Sequence, residues 1–152
     1  MGQSGLERLK RRADFRAAAA AGTRVSGSAF VLQARRRADQ GAVRIGFTVS
    51  RQVGKAVERN RVRRRLREIV RLADAAKLHA GHDYVLIGRR AALDARFGDM
   101  VQELDAALNR IHAIERERAG GAAQRHLHDA RQKASKRAPS RSRRRIPPMS
   151  EL

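Results

Sequence analysis

The sequence predicts an α+β fold: a small single domain in which a mixed β-sheet has helices packed on one face, followed by a basic tail. Three observations predict it. Alternating apolar residues over 43–49 mark a strand with one buried face, and apolar residues at helical spacing over 62–73 mark an amphipathic helix directly after it. A short continuous apolar run over 84–87 then marks a buried strand beyond that helix. A helix between two strands is a βαβ-type crossover, which requires a parallel component in the sheet. A chain of 152 residues has room for one domain of ordinary size. The domain is assigned to 1–117 and the tail to 118–152.

The elements follow in order. Asp14 precedes Phe15 and a run of alanines closed by Gly22, the pattern of a short helix that starts near Arg12 and is stopped by glycine. Phe15, Ala18 and Ala19 share one face of it. Leu6 and Leu9 fall on the other side, so the first ten residues read as irregular. Residues 28–36 contain Phe30, Val31 and Leu32 and read as a strand, with a turn at 38–41. In the next strand Val43, Ile45, Phe47 and Val49 alternate with Arg44, Gly46, Thr48 and Ser50. Gln52-Val53-Gly54-Lys55 turns the chain into the strongest helix, expected over 57–79, whose Val62, Leu66, Ile69, Val70 and Ala73 can lie on a sheet. After a break at 81–83 comes the buried strand that begins at Tyr84. Phe97, Val101, Leu104, Ala107, Leu108 and Ile111 mark a final helix, with Met100 and Ile114 near its edges. From Gly120 onward the apolar residues are mostly alanine, and 139–148 mix serine, arginine and proline. Such a segment buries too little to offset its ordering entropy, so 118–152 reads as disordered, a frayed helical piece around 124–134 being the alternative.

Charge narrows the partner. Lysine and arginine number 35 against 15 acidic residues, a formal charge of +20. A compact chain so charged repels itself unless a polyanion neutralises it, and nucleic acid is the polyanion to expect. There is no cysteine, hence no disulfide framework, zinc-thiolate site or thiol nucleophile. The opening Met-Gly-Gln-Ser leads into charge rather than an apolar signal core, and no run approaches the roughly 18 to 20 apolar residues of a membrane span. A cytoplasmic protein without membrane contact is expected. Only Phe15, Phe30, Phe47, Phe97 and Tyr84 are aromatic, so any surface built on base stacking uses few rings.

The informative chemistry lies in 58–68. From Val57 to Arg71 there are seven arginines and two glutamates. Arg59, Arg63 and Arg67 form one i,i+4 row, flanked by Arg61, Arg64 and Arg65. Two carboxylates cannot neutralise seven guanidinium groups, although a charged run is often merely a solvated face. A guanidinium is a planar fork that grips two phosphate oxygens and keeps its charge at cellular pH, which suits a phosphate-binding ridge. Asn60, amid that charge, is placed to reach a base edge or a 2′-hydroxyl, or to cap a local backbone group.

The run Thr48-Val49-Ser50-Arg51-Gln52-Val53-Gly54-Lys55-Ala56-Val57-Glu58-Arg59-Asn60-Arg61-Val62-Arg63-Arg64-Arg65-Leu66-Arg67-Glu68 closely resembles the signature of the protein subunit of bacterial ribonuclease P. The resemblance extends to Leu9-Lys10, Asp14-Phe15, Phe30-Val31-Leu32, Arg44-Ile45-Gly46 and Asp83-Tyr84-Val85-Leu86-Ile87, and covers about residues 6 to 112. It implies a ribosomal-protein-S5-domain-2-like fold with a left-handed crossover. It also implies an RNA-binding subunit that assists a catalytic RNA in removing the 5′ leader from precursor tRNA, one protein to one RNA, with Mg²⁺ ions held mainly by the RNA. Matched position by position, Arg51, Lys55, Arg59, Asn60, Arg61, Arg63, Arg64 and Arg67 would contact the catalytic RNA. Phe15, Phe30, Phe47 and Gln33 would line or support a cleft between the first helix and the sheet, where the single-stranded leader lies. Two positions depart from the pattern: Ala19 and Gln33 stand where relatives often carry larger or aromatic residues. Phe30 and Phe47 also fit ordinary core packing, since large rings usually bury.

Two other functions were weighed on the residues. A protein-only nuclease needs clustered carboxylates, and the nearest are Asp94, Asp99, Glu103 and Asp105. The five histidines show no ligand constellation along the sequence, so neither a catalytic residue nor a metal site in the protein is expected. A ribosomal-protein-like or nucleoid binder without a catalytic partner fits composition and tail equally well, and only the 48–68 motif separates it from the ribonuclease P reading.

Overall fold

A computed structural model of the protein describes residues 6–137. Its elements are β1 (Leu6–Arg8), α1 (Arg12–Ala21), β2 (Thr23–Ser26), β3 (Phe30–Arg36), β4 (Val43–Thr48), α2 (Ala56–Leu72), β5 (His82–Gly88) and α3 (Phe97–Arg137). Short 3₁₀ turns lie at Arg51–Val53, Ala75–Lys77 and Arg90–Leu93. The strands form one sheet in the order β1-β4-β5-β3-β2. β1 and β5 run parallel to β4, while β3 runs antiparallel to both β5 and β2. The mixed sheet and the β4–α2–β5 crossover are therefore those expected.

Strand alternation sorts the side chains onto two faces. On one, Phe30, Leu32, Ala34, Ile45, Tyr84 and Leu86 meet Val62, Leu66 and Ile69 of α2 and Met100, Leu104, Leu108 and Ile111 of α3 in the main core. On the other, Val85 and Ile87 of β5 meet Phe15 and Ala18 of α1 and Leu9. Helices thus cover both faces, not one. The short, alanine-rich α1 has too little apolar surface for its sequence to reveal which face it covers.

The ends of the elements differ in physically explicable ways. The segment expected to be irregular before residue 11 contains β1, and Leu9, whose amide donates to the Ile45 carbonyl at 2.9 Å, is buried. A three-residue strand is too short to show a period, and the Leu6/Leu9 spacing imitates a helix. β2 carries one clear apolar residue, Val25, and was not foreseen. The helix expected to reach 79 ends at Leu72 because Asp74 starts a competing turn, its carboxylate accepting from the Ala76 amide at 3.0 Å. Residues up to Glu115 form one compact unit, and 116–137 are the described part of a second. The latter are helical where irregular chain was expected from 118. Their alanine, glutamine, lysine and arginine are strong helix formers, and the glycines at 120 and 121 each cost only about 1 kcal/mol. The rest of the expected tail, 138–152, lies outside the described residues. Among those described, no helix is long and apolar enough to cross a membrane.

Asp83 ties the sheet together on the α1 face. Its side chain has no exposure and takes a forked pair of bonds from Arg44 (2.8 and 2.9 Å), with Arg37 on the same carboxylate. Arg37, one residue past β3, also donates to the Ala42 carbonyl at 2.7 Å, so one ion network joins β4 and β5 to the chain that leaves β3. Burial pushes the Asp83 carboxyl upward, but the Arg44 and Arg37 bonds outweigh it and hold the group below its ordinary 3.8. A depressed carboxyl stabilises the fold above its unfolded-state pKa, and that contribution is lost as the pH falls through the folded-state value. Asp83→Asn is expected to cost about 3 kcal/mol in urea unfolding at neutral pH, because two arginines lose their buried counter-charge. The variant's stability should also fall less than the parent's on acidification below about pH 4.

Candidate nucleic-acid interface

α2 is set by its first turn. Gly54 adopts φ +154°, which side-chain-bearing residues rarely do, and turns the chain out of the Arg51–Val53 turn. The Lys55 amide then donates to Glu58 Oε1 at 3.2 Å, satisfying one of the orphan donors at the helix start. Glu58 also pairs with Arg90 at 3.3 Å, and Arg90 donates to the Val53 carbonyl at 2.6 Å. The start of the helix is thus locked to the Arg90–Leu93 turn.

At about 100° per residue the chain separates two kinds of side chain around this helix. Val62, Leu66, Ile69 and Val70 are buried against the sheet. Asn60, Arg61, Arg64 and Arg67 are exposed, with Arg64 opposite the buried stripe. Arg59 and Arg63, half-buried, run with Arg67 along one edge, and Arg61 stands at the other. Arg51 and Lys55 are exposed on the approach. Of the two carboxylates on α2, Glu58 serves the helix start and Glu68 pairs with Arg71. Among the described residues, Arg51, Lys55, Arg59, Arg61, Arg63, Arg64 and Arg67 form no ion pair; Arg63 donates to Asn60 Oδ1 at 3.3 Å. The eight sequence-selected residues therefore lie on one helix and its approach, with their positive charge uncompensated.

Arg65, which the sequence grouped with them, does something else. It donates to the Leu93 carbonyl at 3.1 Å and to the Ala95 carbonyl, and lies on Met100 Sδ at 3.6 Å. It fastens α2 to the segment leading into α3.

The second expected surface divides. Phe15 rests on Gly46, where a Cβ would stand 2.6 Å from the ring; only glycine lets α1 come so close. Gln33 is buried beside Val85 on that same face, with Arg24, Ser26 and Thr48 exposed around it. Phe30 and Phe47 do not belong there. They oppose Gly88 and Leu86 in register and point into the α2/α3 core, Phe30 at 1% exposure. The period of two along a strand puts Phe30 and Gln33 on opposite faces. Ala19 is exposed on α1.

The carboxylates weighed for hydrolysis do not gather. Glu103 accepts from Ser28 Oγ (3.2 Å) and the Ala29 amide (3.1 Å), and Asp105 pairs with Lys77. The histidines do gather, against expectation: His79, His82 and His112 offer ring nitrogens within 4.8 Å of one another. Glu115 lies 2.9 Å from His82 Nε2 and 3.4 Å from His112 Nδ1. Burial pushes the Glu115 carboxyl up, but the two imidazoles outweigh it and bring it down to about 2. The pair spaced three apart at 79 and 82 was the available sequence signal; its third member is 30 residues further on.

The family model "Ribonuclease P" matches residues 4–112. A ribonuclease P protein component from Paramagnetospirillum magneticum is 42% identical, covering 77% of this chain and 91% of the relative. One from Ruegeria pomeroyi is 46% identical, covering 72% and 90%. Among solved structures, the ribonuclease P protein from Thermotoga maritima matches with TM-score 0.59 and 31% identity, covering 69% of this chain and 97% of that one. The Staphylococcus aureus protein matches with TM-score 0.56 and 29% identity, covering 67% and 92%.

The two kinds of arginine on α2 are separable by stability alone. Arg65→Ala leaves two carbonyls without their donor and should cost about 1–3 kcal/mol in chemical unfolding. Arg64→Ala should stay within about 0.5 kcal/mol of the parent.

Proposed function

The chain belongs to the ribonuclease P protein family, and from that premise we propose that the outer face of α2 is the surface that holds the enzyme's catalytic RNA. As a ribonuclease P protein component the chain is part of a ribonucleoprotein endoribonuclease of tRNA processing, and its partner is RNA. One observation carries the assignment of the surface: Arg59, Arg61, Arg63, Arg64 and Arg67 stay free of ion pairs among the described residues while the opposite side of the same helix is buried. Guanidinium groups held in place on a rigid helix meet phosphates without first losing much conformational freedom. Arg51 and Lys55 extend the surface toward β4, and Asn60 supplies a polar group that distinguishes a base edge or a 2′-hydroxyl.

In this reading the substrate is precursor tRNA, with one protein per RNA. The single-stranded 5′ leader runs along the α1 face past Phe15 and Gln33, and Phe30 and Phe47 support it only through the core. With Ala19 and Gln33 in place of larger or aromatic groups, one half-buried ring remains for stacking, worth about 1–3 kcal/mol per base. Leader affinity then rests more on backbone charge. Cleavage chemistry belongs to Mg²⁺ ions held mainly by the RNA, since Glu103, Asp105, Glu58, Glu68 and Asp83 each already serve a cation or an N–H group. Deleting the basic segment 118–152 and comparing holoenzyme affinity decides whether it adds unspecific RNA affinity, contacts a neighbouring RNA helix or serves solubility alone. The protein works in the cytoplasm, where its substrate is made.

Reconstitution tests this. The protein alone should not cleave precursor tRNA. Added to a bacterial ribonuclease P RNA, it should lower the Mg²⁺ needed for cleavage and favour precursor over mature tRNA; equal rates and equal Mg²⁺ dependence with and without it would refute the assignment. The surface has its own readout. Replacing Arg59, Arg61 and Arg64 by alanine should weaken RNA binding and reduce the slope of log affinity against log salt by about 0.7–0.9 per lost phosphate contact. An unchanged slope would mean that these side chains face only water.

A further inference from the structure

The histidine cluster lies away from α2's outer face and has no part in the function above. His79 lies between the Ala75–Lys77 turn and β5, His82 opens β5, and His112 and Glu115 stand one turn apart on α3. His82 and His112 are 6% and 8% exposed. Their far nitrogens are held by backbone carbonyls. His112 Nε2 lies 2.9 Å from the Lys77 carbonyl and 3.0 Å from the Tyr84 hydroxyl, and His82 Nδ1 lies 3.2 Å from the Ala80 carbonyl. A carbonyl oxygen only accepts, so a ring bonded there is the donor, and once the cluster gives up its extra proton the other nitrogen offers a lone pair. The other two nitrogens, His82 Nε2 and His112 Nδ1, both face Glu115 Oε2, at 2.9 and 3.4 Å, and in the metal-free cluster the shorter contact is a hydrogen bond that carries a proton. His112 Nδ1 is fully buried and has no hydrogen-bond partner.

A proton shared with Glu115 is one way to hold these groups together out of water, and a metal cation that displaces it is the other. We propose that His79, His82, His112 and Glu115 bind a divalent transition-metal ion of the zinc class. Metal bonds of about 2.0–2.1 Å set tetrahedral ligands about 3.3 Å apart, and the two measured separations straddle that value. An imidazole whose remote N–H is held by a backbone carbonyl is the usual second-shell support of a metal-bound histidine, and both buried rings have it. The exposed ring of His79 is stacked on His112 with centroids 3.6 Å apart and covers the cluster; it is the ligand that moves to complete the shell. Imidazole nitrogens select zinc, cobalt or nickel over Mg²⁺ and Ca²⁺, which prefer oxygen. Four protein ligands leave no open position, so the ion is structural: it joins the chain after α2 to β5 and α3.

The test uses the full chain, stripped with a chelator and titrated with Co²⁺, whose visible absorption reports coordination. One equivalent should bind with a tetrahedral spectrum, be displaced by Zn²⁺, and survive about 100-fold excess Mg²⁺. His79→Ala removes an exposed ring that stacks on His112 and should weaken Co²⁺ binding at least about tenfold with the circular dichroism spectrum unchanged. Glu115→Gln should weaken it as well. The double variant His126→Ala/His128→Ala should titrate like the parent. No stoichiometric uptake would mean that the cluster holds a proton only; uptake indifferent to His79→Ala and Glu115→Gln, or lost in the double variant, would place the ion elsewhere. Each of these results would overturn the proposal.

Discussion

The anchoring of α2 on the sheet is the constraint from which the rest follows. Seven arginines on about four turns are unfavourable in an isolated helix, since like charges at i,i+4 cost roughly 0.2–0.5 kcal/mol per pair. Burying Val62, Leu66, Ile69 and Val70 returns about 1.5–3 kcal/mol for each side chain, several times the repulsion. The sheet therefore holds in helical form a segment whose charge would otherwise favour unwinding. Because the same four residues fix the helix's rotation, Arg61, Arg64 and Arg67 are left facing outward while Arg65 is turned to the Leu93 and Ala95 carbonyls.

What the sequence made legible was whatever has a period. The alternation in β4, the helical spacing of α2 and the apolar run of β5 each repeat often enough to be read, and together they specify the parallel crossover at the centre of the sheet. β1 and β2 have three and four residues and show no period. The end of α2 is hard to read because Ala73, Ala75, Ala76, Lys77 and Leu78 are good helix formers, whereas the Asp74 carboxylate satisfies the Ala76 amide outside the helix. The basic row was readable as a group but not residue by residue. Arg65 differs from Arg64 only in its angle around the helix, and that angle brings it to the carbonyls of Leu93 and Ala95.

Contacts distant in sequence were the other blind spot. The cleft assignment placed Phe30 with Phe15, yet register settles the face: Phe30 opposes Gly88 while Gln33 opposes Val85. The histidines come from two separate parts of the chain, and only the approach of α3 to the start of β5 brings His112 beside His79 and His82. Asp83 is similar. In the sequence it reads as part of a break between helix and strand, and in the fold its carboxylate neutralises Arg44 of β4 and Arg37 just past β3.

The brevity of β1 and β2 bears on solubility during assembly. These are the two outermost strands of the sheet, and they show Glu7, Arg8 and Arg24 to solvent. An incoming strand would find only a few unsatisfied amides at either border, guarded by charge, so lateral growth into aggregates gains little. A polypeptide that must wait for a polyanion after synthesis is thereby kept from recruiting copies of itself in the interval.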